Sequence, residues 1–208
     1  MTNDEMFAAI TVQRNRLLDV AEGFTEAEWN TPSLCDGWRV RDVLGHLLAV
    51  VDYPLGKFFV GVVTSFGFNA YTDRLARRYG ERDPDDLLAG YRVLAAKKFA
   101  PPIVGPIAPL SDICTHARDI ERPLARPSTL EPESVRATLD FAFTGPGRAV
   151  SGKRTKALRF VATDLDWSKG TGKTVEGPSE ALMMALNGRK VALADLAGDG
   201  LAELTARG

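Results

Sequence analysis

The stretch from Arg39 to Val51 constrains the fold of this chain more than any other. Its apolar residues stand at Val40, Val43, Leu44, Leu47, Leu48 and Val51, the spacing of a single helical face. Such a stripe has to be buried against other elements. Three further segments supply candidate partners. Residues 3–22 place Phe7, Ile10, Leu17, Leu18 and Ala21 at a rough helical period, with Thr2, Asn3 and Asp4 as possible N-caps and Gly23 as a stop. Asp83-Pro84-Asp85-Asp86 reads as the start of a third helix, acidic groups at its positive end, running to about Lys98. A fourth begins near Leu110, carries Ile113, Ala117, Ile120 and Leu124 on one side, and ends near Pro127. Four antiparallel helices with an apolar interior read as a bundle.

The connections are less regular. Residues 24–38 read as a connector containing Trp29, Pro32, Ser33, Gly37 and Trp38. Pro54 is expected to kink or divide the second helix, whose apolar pattern resumes at Phe58, Phe59, Val62 and Val63. The polar, Arg-rich stretch from Asn69 to Asp83 reads as part loop and part surface helix. Pro101, Pro102, Pro106 and Pro109 stiffen a further connector.

The pattern changes after Pro127. Glu131–Phe143 suits one more helix, Gly145–Arg148 a turn, Lys156–Asp166 a strand, Pro178–Leu186 a short helix stopped by Asn187-Gly188, and Leu201–Leu204 a final strand. The expected organisation is therefore α+β and mainly α: a bundle over residues 1–127 and a small α/β module over residues 128–208.

Composition excludes several classes. Apolar residues make up 45% of the 208, enough for a sizeable core, and the formal net charge is −1. No basic excess points to a nucleic acid as partner. Asp42, His46, Asp52, Lys57 and several glycines interrupt the apolar run 40–63, so it makes a poor membrane span. The acidic start Met-Thr-Asn-Asp-Glu-Met is unlike a signal peptide, and Cys35 and Cys114 suit a reducing compartment as two free thiols. A cytoplasmic location is expected.

Only two histidines occur in the chain. His46 sits on the helix expected over residues 39–51. His116 stands four residues after Asp112 on the fourth helix, a spacing that puts both side chains on one face about one turn apart. Helical bundles build metal sites from side chains on facing helices, so His46, Asp112 and His116 are the candidate ligands of one divalent ion. Two imidazoles and a carboxylate suit zinc best, with nickel, iron or manganese also possible, and leave positions open to water or substrate. On spacing alone, histidines with no metal role remain the commoner outcome.

The segment Trp29-Asn-Thr-Pro-Ser-Leu-Cys-Asp-Gly-Trp-Arg-Val-Arg-Asp-Val-Leu-Gly-His-Leu47 resembles the start of the DinB-like metal-binding bundles. It resembles more closely the mycothiol-dependent maleylpyruvate isomerase group, with its pattern W-x-x-P-S, then C-x-G-W-x-V-x-D-V-x-x-H. That group's carboxylate-x-x-x-His pair is matched by Asp112-Ile-Cys-Thr-His116, with Asp where Glu is common. Ala162–Ser168, Gly177-Pro178, Leu186 and Gly188-Arg189 are similar to its C-terminal module. The resemblance implies a DinB-like four-helix bundle and a thiol-dependent enzyme with mycothiol as co-substrate and a small electrophile as substrate. The metal would favour the thiolate, which adds to an electrophilic carbon; loss of the thiol gives isomerisation and its retention gives S-transfer. Metal-dependent hydrolysis and a non-catalytic metal- or ligand-binding role are the alternatives.

Other features carry less. Gly170-Thr-Gly-Lys-Thr174 lacks the first glycine of a phosphate loop, with Trp167 in its place, and reads as a solvated turn. Neither Cys35 nor Cys114 stands at an expected ligand position, so a reactive sulfur would come from outside. Asp42, one turn before His46, could orient that imidazole. Arg189 could meet a substrate carboxylate, although a surface role is the commoner one for arginine. Trp38 and Trp167 read as packing anchors.

Overall fold

The computed structural model describes residues 1–52, 54, 67–101 and 103–207. Phe58, Phe59, Val62 and Val63 lie outside the described residues. The described chain is mainly helical, with a small sheet near its C-terminus. It divides into two compact units, residues 7–99 with 116–129, and residues 1–6 with 100–115 and 130–208.

In the first unit, α1 (Asn3–Ala21) and α3 (Val40–Asp52) follow their apolar periods closely. Between them the supposed connector holds a one-turn helix, α2 (Glu26–Trp29), started by a capping box in which Thr25 and Glu28 each satisfy the other's backbone N–H. Helix α3 is described as far as Asp52, two residues before Pro54. The Arg-rich stretch expected to be part loop is a continuous helix, α4 (Phe68–Gly80), and it is not confined to the surface: Leu75, Ala76 and Tyr79 are buried. Its polar residues disguise a narrow apolar stripe on an otherwise solvated helix. Helix α5 (Pro84–Leu94) is capped by Asp83 and ends a turn earlier than the periodicity suggested.

Helix α3 packs most extensively against α4, and glycines make the close approach possible. A Cβ on Gly45 would lie 2.5 Å from both the Ala76 carbonyl oxygen and the Gly80 nitrogen. The two backbones touch where side chains would otherwise hold them apart, next to His46. The core comprises Ile10, Leu17 and Leu18 of α1, the whole apolar face of α3, and Leu87 and Tyr91 of α5. Arg14 is buried among them and donates to the Ala95 and Lys97 carbonyls, so its charged head meets the carbonyls left open where α5 ends.

Helix α6 (Ile107–Glu121) runs through both units. It ends before Leu124, where residues 122–125 form turns. The buried Glu121 accepts hydrogen bonds from Thr129 and Arg118. Burial pushes its carboxyl above the usual carboxylate range, against the opposing pull of Thr129 and Arg118.

The second unit contains α7 (Pro132–Phe141), the short helix α8 (Arg148–Ser151), strands β1 (Leu158–Ala162), β2 (Ser168–Gly170) and β3 (Lys173–Gly177), and helices α9 (Ser179–Leu186) and α10 (Leu201–Thr205). The sheet order is β2-β1-β3, with β2 antiparallel and β3 parallel to β1. Phe160 thus stands opposite Lys169 on one side and Val175 on the other. Strand β1 buries Leu158, Phe160 and Ala162 in alternation, and α9 buries every residue from Ala181 to Leu186. Asp164 accepts hydrogen bonds from the backbone and hydroxyl of Ser179 at the start of α9. The glycine-rich segment expected to be a turn is the link that carries the chain around the end of β1, from one side to the other. At Gly172, with φ +118°, a Cβ would lie 2.2 Å from the Ala157 carbonyl oxygen. Leu201–Leu204, expected to be a strand, lies in helix α10; a run this short cannot distinguish the two periods.

Candidate metal centre

His46 and His116 meet. Their ring centroids are 4.9 Å apart in an edge-on arrangement. His46 comes from the middle of α3, anchored by the buried residues on either side of it. His116 comes from α6, and Asp112 stands one turn before it on the same helix. One donor atom from each of His46, Asp112 and His116 lies within 4.8 Å of the other two. The indole of Trp38 packs against both imidazoles, at 5.4 Å from His46 and 6.3 Å from His116. Its Nε1–H donates to Asp73 at 2.7 Å, which fixes the ring plane. Arg77 and, to a lesser degree, Trp38 hold the Asp73 carboxyl below its usual range, against partial burial.

A second set of donors lies behind His116. Its Nδ1 is 2.9 Å from Asp119 Oδ2. Asp119 is fully buried and accepts at the same oxygen from the Cys35 thiol, 3.1 Å away. Cys35 Sγ is in turn 3.5 Å from His116 Nδ1. With Asp119 ionised and the imidazole neutral, Nδ1 is the donor of this pair and Nε2 keeps the lone pair. Cys35 reaches this position on a loop pinned at several points. Ser33 N–H donates to the Trp38 carbonyl, Cys35 N–H to the Ser33 hydroxyl, and Leu34 N–H to the Asp119 carbonyl.

The structure brings together the three residues expected to hold a metal, and it adds Cys35 and Asp119. Asp119 carried a legible signal, since His-x-x-Asp on a helix places the two side chains on one face. Cys35, expected to stand away from any donor set, had no such signal, because a hydrogen bond between distant segments places it. Asp42 does not orient His46. Its carboxylate is buried and accepts from the backbone, Nε and Nη2 of Arg39, reaching back to the open N–H at the start of α3. Cys114 is fully buried in the core. Trp167 is a packing anchor beside Phe143, with its Nε1–H on Asp140. Arg189 follows α9, where its Nη1 donates to the Asn187 carbonyl. It lines a shallow depression with Arg154, Ala185, Gly188 and Leu193, and belongs to neither donor group.

The donor set fits a divalent ion. Two imidazole nitrogens and one carboxylate oxygen are borderline-hard ligands, and helices hold all three. Among the described residues, no helix is long and apolar enough to cross a membrane.

Residues 10–100 match the family model described as the mycothiol maleylpyruvate isomerase N-terminal domain. No curated protein matches the sequence with significance. The structure is similar to the crystal structure of a histidine-to-alanine mutant of the mycothiol-dependent maleylpyruvate isomerase, with a TM-score of 0.64 and 11% identity over 96% of this chain and 93% of that one. At that identity the likeness concerns the fold, and the family match concerns the segment that contains Cys35, Trp38 and His46. Through residues 10–100, the chain is similar to the mycothiol maleylpyruvate isomerase N-terminal domain family.

Proposed function

We propose that this protein is a metal-dependent enzyme that uses a low-molecular-weight thiol, mycothiol, either to isomerise a small electrophilic substrate or to transfer the thiol to it through sulfur. One observation carries the reading: both histidines of the chain converge with Asp112 so that their donor atoms lie within 4.8 Å of one another. In this reading His46, Asp112 and His116 hold one divalent ion, zinc in the first instance. When bound, that ion supplies the Lewis acidity that favours an added thiol as its thiolate, the nucleophilic form.

The chain's own residues prepare for this. The two imidazoles are neutral ligands and Asp112 brings a single negative charge, so the site keeps a net attraction for an anionic ligand. Asp119 keeps His116 in the tautomer that presents Nε2. Trp38 packs on both imidazoles and limits their rotation. Arg189 is the candidate contact for an anionic group of the substrate, its guanidinium steadied by the Asn187 carbonyl.

The test is a turnover screen of the metal-loaded protein with mycothiol and a panel of small electrophiles, including maleylpyruvate, followed by mass spectrometry. Thiol-dependent consumption of an electrophile, lost in His116→Ala, is the expected result. Turnover without thiol would replace the reading with metal-dependent hydrolysis. Stable metal binding with no turnover would make the protein a binding module.

A further inference from the structure

His116 also belongs to a second donor group. Its Nδ1 faces Cys35 and Asp119, and the three form a donor set in their own right: one thiol sulfur, one imidazole nitrogen and one carboxylate oxygen. We infer that Cys35, His116 and Asp119 constitute a second cation site, selective for a thiophilic divalent ion, that shares the His116 imidazole with the first.

The geometry supports this on three counts. The edges of the donor triangle are 3.5 Å from Sγ to Nδ1, 3.1 Å from Sγ to Oδ2 and 2.9 Å from Nδ1 to Oδ2. Ligand atoms around tetrahedral zinc are separated by about 3.3–3.6 Å, from Zn–N and Zn–S lengths of about 2.0–2.1 and 2.3 Å. The Sγ–Nδ1 edge already matches a half-shell, and the two edges to Oδ2 are a few tenths of an ångström shorter, as expected where an S–H and an N–H proton point at that oxygen. Next, the donors are preorganised. Asp119 is fully buried, and the Cys35 loop is tied to the Asp119 carbonyl through Leu34 N–H. Finally, the sulfur sets the selectivity. The first group has only nitrogen and oxygen donors, whereas thiolate favours soft ions such as cadmium over hard ones.

Binding replaces protons. The Cys35 S–H proton leaves to solvent, and the ring proton now on Nδ1 moves to Nε2 so that Nδ1 can donate its lone pair. A neutral imidazole has one such pair, so His116 serves one side at a time and the two sites exclude each other. A soft ion at Cys35 withdraws His116 from the first group, which makes the second site an inhibitory one.

The test uses the full chain, stripped with chelator and kept reduced by a phosphine, and titrates it with cadmium in the absence of any added thiol. A sulfur-to-cadmium charge-transfer absorption is expected. It should disappear in Cys35→Ser and in His116→Ala, and persist in His46→Ala. Far-UV circular dichroism checks that each variant is folded, and Cys35→Ala serves if the serine variant is not. No absorption in the native chain, or its survival in a folded Cys35 variant, overturns the inference. Loss in His46→Ala also overturns it, because the sulfur would then belong to a single site containing His46. The inference stands apart from the proposed enzymatic role: His46→Ala removes the first site and leaves the second, and Cys35→Ser does the reverse.

Discussion

His116 Nδ1 lies 2.9 Å from Asp119 Oδ2, one turn further along the same helix. The carboxylate is fully buried, a costly placement unless its oxygens are bonded. The His116 N–H and the Cys35 S–H both reach Oδ2. The consequence is a histidine whose tautomer and ring orientation are set before any ligand arrives.

Asp119→Asn is therefore expected to weaken metal binding without unfolding the chain. An amide nitrogen facing Nδ1 favours the opposite tautomer, and loss of such an orienting carboxylate typically costs about 10–100-fold in affinity. Competition against a chelator of known affinity measures the change. An unaltered affinity would mean that Asp119 serves packing alone.

Mycothiol is expected to enter the coordination of an ion held by His46, Asp112 and His116. Cobalt substitution in a Cys35→Ser background isolates the effect, since the remaining thiol, Cys114, is fully buried. A sulfur-to-cobalt charge-transfer band should grow with mycothiol and be lost in the added His46→Ala substitution. If carboxylates or phosphates alter the cobalt spectrum and thiols do not, the thiol chemistry is wrong.

The contact between α3 and α4 should tolerate little. Gly45→Ala places a methyl group 2.5 Å from the Ala76 carbonyl and the Gly80 nitrogen, so the helices must separate. A loss of about 1–3 kcal/mol is expected, the usual cost of overpacking, read as a lower midpoint in urea. Because His46 is the next residue, metal affinity should fall in the same variant.

The capping box of α2 should make stability depend on acid. Hydrogen bonds from Thr25 and Arg126 hold the Glu28 carboxyl well below its ordinary 4.5, at about 2. A folded-state value below the unfolded one contributes stability that is complete above the unfolded value and is lost as pH falls through the folded one. The difference in melting temperature between the native chain and Glu28→Gln should thus be widest above pH of about 4.5 and close as pH approaches 2. A constant difference across that range would show that the Glu28 charge plays no part.

Local chemistry determined much of this protein in advance. The apolar stripes of residues 3–22 and 40–51 specify helices because a period of three and four residues can bury only one face. Scarcity made the metal candidates visible: with two histidines in the chain, Asp112 one turn from the second left little choice. The C-terminal sheet was half legible. Strand β1 alternates buried and exposed residues, whereas β2 has all of its residues exposed and so shows no hydrophobic period to read.

Tertiary structure decided what lies behind His116. Cys35 and Asp119 are 84 residues apart, and nothing in the composition of either segment announces their contact. It exists because α6 presents a backbone carbonyl and a buried carboxylate to a loop whose own N–H groups need partners. Helix α4 is a similar case: its arginines conceal the buried Leu75, Ala76 and Tyr79, and a glycine contact with α3 gives it its place. Periodicity records which face of an element is buried. Hydrogen bonds and close approaches between distant segments decide which neighbours that face meets, and they leave no period in the sequence.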